Sequence, residues 1–95
     1  MKPTLINEVL SKKRILEINK IVKRVHGDNH PEFHRIHDLY LELYQAFKTQ
    51  DETNIVKIFD ELRIVTNHYE IPNDVCETYA MVINYLQDLE NRFYA

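Results

Sequence analysis

Glycine is nearly missing from this chain: Gly27 is the only one in 95 residues, where average usage would give about seven. Proline is held to Pro3, Pro31 and Pro72. A β-sandwich or barrel needs a turn every 8–12 residues or so and draws on Gly, Pro and Asn-Gly pairs to make them. Without them, all-β folds are excluded. The same scarcity excludes glycine-rich phosphate loops and dinucleotide-binding turns, whose backbones must approach the ligand closely. One cysteine, Cys76, permits no internal disulfide, which points to a reducing, cytoplasmic compartment. Apolar runs are short, so no segment reads as membrane-spanning, and the first residues lack the apolar stretch of a signal peptide.

What remains is ordinary globular material, 44% hydrophobic and 28% charged, enough for one domain over residues 1–95. The charge is unevenly spread. Residues 1–26 hold seven Lys or Arg against two Glu, whereas residues 27–95 hold five against thirteen acids. Two readings compete for the basic segment (Lys12, Lys13, Arg14, Lys20, Lys23 and Arg24). Either it is matched electrostatically to acidic neighbours, or it contacts nucleic acid. No aromatic residue interleaves those cations, so the first reading is preferred and no nucleic-acid partner is expected.

Apolar spacing of three and four residues marks four helices, near 4–26, 31–49, 52–68 and 74–94. Pro3 suits a first helical turn. The run Ser11-Lys12-Lys13-Arg14 interrupts the first stripe, so that helix is bent there or starts late. Gly27 should end it with a left-handed cap. Phe33, Ile36, Tyr40, Leu43 and Phe47 form the second stripe, and Asp51 suits the N-cap of the third helix. Asp74 and Glu77 have capping-box spacing before a stripe of Cys76, Tyr79, Val82, Leu86, Leu89 and Phe93. Short loops make neighbours antiparallel, and the expected fold is all-α, an up-down four-helix bundle.

Four histidines cluster around the first turn: His26, His30, His34 and His37, with Asp28 and Asp38 nearby. Imidazoles and carboxylates at that density suit Zn²⁺ or Ni²⁺. The competing and preferred reading is a set of polar residues on an exposed turn, His26 favouring a helix C-terminus. Cys76 sits in a first helical turn, where the dipole lowers a thiol pKa. Its place on an apolar stripe instead predicts a packed small hydrophobe. Tyr44, Tyr85 and Tyr94 fall off the stripes, as residues of a subunit contact do.

Two segments carry a family likeness. One is Lys23-Arg24-Val25-His26-Gly27 continuing through His30-Pro31-Glu32. The other holds Val65-Thr66-Asn67-His68-Tyr69, Pro72, Asp74, Cys76-Glu77-Thr78-Tyr79 and Leu86-Gln87-Asp88-Leu89-Glu90 in order. Together they cover about two-thirds of the chain and resemble the hemerythrin-like domain of the iron–sulfur cluster repair family, also called Repair of Iron Centres. The resemblance implies a hemerythrin-like bundle and a link to nitrosative or oxidative damage. Members of that family bind a di-iron centre through single His ligands on the first and third helices and a His-x-x-x-Glu pair on the second and fourth.

The ligand positions do not carry over. No His precedes His26, and the second-helix pair falls on Gln50 and Asn54. The third-helix position falls near Glu52, and the fourth-helix pair would begin after Ala95. The resemblance therefore implies a shortened relative lacking the di-iron ligands, with no cofactor and no enzyme activity. Its expected role is a non-catalytic protein-interaction module, partnered by itself as a homodimer or by another protein. The alternative is a Zn or Ni site on His26, His30, His34 and His37. Phe47, Phe93 and Tyr94, near cut helix ends, are the expected dimer patch.

Overall fold

The polar run Ser11-Lys12-Lys13-Arg14 divides the first expected helix in two. A computed structural model of the chain describes residues 1–95. It contains five helices and no strand: α1 (Pro3–Ser11), α2 (Lys13–His26), α3 (Glu32–Lys48), α4 (Glu52–Val65) and α5 (Glu77–Tyr94). The break is Lys12, whose φ of −83° and ψ of 53° lie outside the helical region. Val9 and Leu5 then turn inward independently of α2, whose own inward residues are Val22 and the buried amide Asn19. No helix is long and apolar enough to cross a membrane.

Helix α3 is the centre of the molecule and packs against α1, α2 and α4, while α2 also lies along α5. Its expected stripe is fully inside, as are Leu39 and Ala46. Burying side chains of this size removes roughly 1.5–3 kcal/mol of unfavourable hydration each, which makes α3 the main source of packing energy. Ion pairs tie the outer helices together: Arg63 of α4 to Glu90 of α5, and Arg92 of α5 to Glu8 of α1.

Element boundaries show which local signals win. Asp51 caps α4 as expected, its Oδ1 accepting the Asn54 N–H at 3.1 Å. Gln50, at φ 55°, makes the left-handed step that ends α3. Gly27 does not make the left-handed cap expected of it, for its φ is −59°. Glycine is needed there for space: an added Cβ would lie 2.3 Å from the Lys23 carbonyl oxygen and 2.7 Å from His34 Nε2.

Helix α4 stops at Val65, before the expected end near residue 68, because Asn67, His68 and Tyr69 take φ of 51°, 61° and 61°. Left-handed conformation costs a non-glycine residue roughly 1–2 kcal/mol. Hydrogen bonds and burial offset it: the Tyr69 N–H donates to Thr66 Oγ1 at 2.8 Å, the His68 N–H to the Arg63 carbonyl at 2.7 Å, and the Tyr69 ring is buried. At the far side of this connector, α5 starts at Glu77 with Cys76 as N-cap. The expected Asp74–Glu77 capping box does not form, since the Asp74 carboxylate turns to His30 instead.

Two further expectations are corrected. Of the seven cations in residues 1–26, only Lys20 is in an ion pair, and that is with Glu17 of its own helix. The basic segment is thus not matched to acidic neighbours; Ile21 and Val25 lie exposed among its charges. The apolar patch expected at the helix ends is covered at Phe47 and in part at Phe93, while Tyr94 stays exposed. Phe47 is fully buried, Phe93 packs its ring on Phe47 and Phe59, and α1 closes over that end with the Met1 amine 3.0 Å from Glu52. Tyr44 donates its hydroxyl to the Leu10 carbonyl and Tyr85 packs on Tyr40, so among the three off-stripe tyrosines only Tyr94 faces solvent.

Candidate functional site

The end of the molecule opposite α1 gathers residues that are distant in sequence. His26 is the last residue of α2, His30 lies in the turn before α3, and Glu32 begins α3. Asp74 and Cys76 come from the connector, Thr78 and Tyr79 from the first turn of α5. The Tyr79 ring is the hub. It meets His26, His30 and Phe33 with centroid separations of 5.7, 5.6 and 4.9 Å, and so fixes both imidazoles relative to the start of α5.

Cys76 is exposed, which corrects the expectation that it packs as a small hydrophobe. An N-cap residue lies outside the helical repeat, so stripe spacing says nothing of where it points. Its sulfur lies 2.8 Å from Thr78 Oγ1 and 3.0 Å from His26 Nε2. With the sulfur ionised, the hydroxyl and the ring N–H both donate to it. The Thr78 bond, the Tyr79 and Thr78 backbone amides and His26 together outweigh partial burial and pull the thiol down to about 6. The α5 N-terminus adds its partial positive charge. This is a cysteine–histidine pair whose surroundings favour the thiolate.

His30 holds the same end closed. Its Nδ1 lies 2.8 Å from Glu32 Oε1 and its Nε2 lies 2.9 Å from Asp74 Oδ1. Glu32, then Asp74, raises its pKa against the opposing effect of desolvation, so it carries charge to higher pH than a free imidazole. Glu32 Oε1 also accepts the Tyr79 hydroxyl at 3.3 Å, and burial together with that carboxylate keeps the phenol neutral.

The four histidines singled out in the sequence do not form one donor set. His26 and His30 stand edge-on with rings 6.5 Å apart, each engaged with a different partner. His34 is exposed and rests against Gly27. His37 points into the core with Nδ1 unpartnered, and burial, then Lys23, lowers its pKa. No group of three or more His, Cys, Asp or Glu side chains is arranged to hold a metal ion. Sequence reasoning missed the Cys76–His26 and His30–Asp74 pairs, whose members stand 50 and 44 positions apart. The one signal for the first was the Cys-x-Thr at a helix start.

A separate pocket of about 460 Å³ opens beside this cluster, sharing His30, Glu32 and Tyr79 as one wall and using the left-handed turn as the other. Compared with known proteins, the chain finds no matching family model, no matching curated protein and no matching solved structure.

Proposed function

We propose that this chain is a non-catalytic, shortened hemerythrin-like module that responds to nitrosative or oxidative stress through reversible modification of Cys76 and acts by contact with another protein or a second copy. The observation that carries the reading is the Cys76–His26 pair at 3.0 Å on an exposed helix N-terminus. Thiolates, not thiols, attack sulfur and nitrogen electrophiles. The Cys76 thiolate takes the nitroso group from a small S-nitrosothiol; the S–N bond at Cys76 forms as the donor's breaks, and the departing thiolate takes a proton from water. Support for the bundle comes from α3 packing on α2 and α4, α2 on α5, and the Arg63–Glu90 bridge joining α4 to α5. Support for a protein contact comes from the unpaired cations of α2 beside exposed Ile21 and Val25.

The test is the rate of iodoacetamide alkylation as a function of pH. The expected midpoint is about 6, and Thr78→Val, which removes the largest of the groups that lower it, moves it toward the free-thiol value near 8.5. S-nitrosoglutathione should nitrosate the wild-type chain faster than the variant, as read by mass spectrometry. A midpoint above about 8 in the folded wild type would overturn the proposal.

A further inference from the structure

The pocket beside the cluster has its own chemistry. Its floor is apolar, made by Ile36 of α3, Val65 at the end of α4, Pro72 of the connector and Ile83 of α5. Its volume of about 460 Å³ is within the range of small-molecule sites, roughly 300–1,000 Å³. The rim is polar, and its hydrogen-bonding capacity is unevenly spent. Both His30 nitrogens are committed to carboxylates, and the Tyr79 hydroxyl to Glu32. Thr66 Oγ1 donates to the Leu62 carbonyl and accepts the Tyr69 N–H.

What is left over is almost all acceptor. Glu32 receives both of its bonds on Oε1, leaving Oε2 free. Glu70 receives the Asn67 amide at 2.5 Å on Oε2, leaving Oε1 free. That bond also fixes the Asn67 orientation, because a carboxylate only accepts, and so turns Asn67 Oδ1 into a third free acceptor. The single spare side-chain donor is the second Asn67 amide proton. Charge agrees with this inventory: Glu32, Glu70 and Asp74 outnumber the one cationic group, His30, and no Lys or Arg lines the pocket.

A group that suits three acceptors, net negative charge and an apolar floor has several donors, no acceptor, positive charge and a hydrocarbon stem. A primary ammonium has three donors and no acceptor. We infer that this pocket binds a primary ammonium group on an apolar stem, its N–H bonds directed to Glu32, Glu70 and Asn67 and its stem lying on Val65 and Pro72, above the buried Ile36 and Ile83. A free amine and the side chain of a partner's lysine present the same chemistry. The three left-handed residues keep Asn67 and Glu70 on the rim, so their strain has a use here.

The test is an amide-shift titration of the full chain by NMR with four probes: 2-phenylethylamine, 2-phenylethanol, 3-phenylpropanoate and Nα-acetyl-lysine methylamide. The expected result is saturable binding of an amine below about 1 mM, with shifts confined to residues 30–36, 65–72, 79 and 83, and at least about tenfold weaker binding of the alcohol and the acid. Tighter binding of the phenyl amine assigns the site to free amines; tighter binding of the lysine amide assigns it to a partner's side chain. Glu70→Gln, an exposed substitution that leaves the fold intact by thermal melt, weakens the amine about fivefold or more. Equal affinity for amine and alcohol, no binding of either amine, or no effect of Glu70→Gln would overturn the inference. Cys76 alkylation should be the same in Glu70→Gln as in wild type, which keeps this outcome separate from that of the thiol proposal.

Discussion

Two histidines of this molecule respond to pH in opposite directions, and their environments say why. His30 gains Glu32 and Asp74 as partners on folding and faces the rings of Tyr79 and His26. Its raised pKa means that its contribution is fully present below the free-imidazole value near 6.5 and is lost as pH rises through the folded value. His37 is desolvated and faces Lys23 and Lys20 of α2, with Asp38 and His34 on its own helix. Its pKa is lowered, so its contribution is present above about 6.5 and is lost as pH falls through the folded value. Urea denaturation between about pH 5 and pH 8 should therefore show losses on both sides. His30→Gln should flatten the alkaline side alone, and His37→Gln the acid side alone. An alkaline slope unchanged in His30→Gln would refute the assignment. None of this was legible in sequence, where the four histidines read as one group; only the partners supplied by α2, α5 and the connector separate them.

At the scale of elements, the sequence spoke clearly where a local signal needed no tertiary help. Asp51 capped α4, and the stripe of α3 was inside at Phe33, Ile36, Tyr40, Leu43 and Phe47. It failed where a distant partner decided the matter. α5 starts late because Asp74 bonds His30 instead of capping, and α4 ends early because burial of Tyr69 supports a left-handed turn that propensity disfavours. His68 is the residue of that turn to alter, being exposed at φ 61° with no side-chain bond to lose. His68→Gly removes the steric cost at that position and should stabilise the protein by about 1 kcal/mol, after allowing for the added freedom of glycine in the unfolded chain. A urea midpoint that is unchanged or lower would show that the imidazole contributes to the folded state.

For the whole molecule, periodicity was a guide to packing and none to where distant polar side chains meet. The string from Thr66 to Tyr79 that carried the likeness wraps both the thiol and the pocket, yet no apolar count distinguishes it from an ordinary connector. Periodicity gave no hint that α1 would serve as the cover of the opposite end. Lys12 makes α1 a short helix on a hinge, held by Arg92–Glu8, the Tyr44–Leu10 bond and three buried side chains, Leu5, Ile6 and Val9. Isolated helices of this length are unstable in water, so α1 persists only while docked. Its amides should then exchange with deuterium ahead of those of α3 and α5, in a partial opening cheaper than global unfolding. Uniform protection across α1 and α3 would contradict that order. Each such opening uncovers Leu5, Ile6 and Val9 on one side and the Phe93 end of the core on the other. A segment able to leave its own body and settle on an identical one is the raw material of domain exchange, so a second copy has a route into this fold that its closed surface does not display.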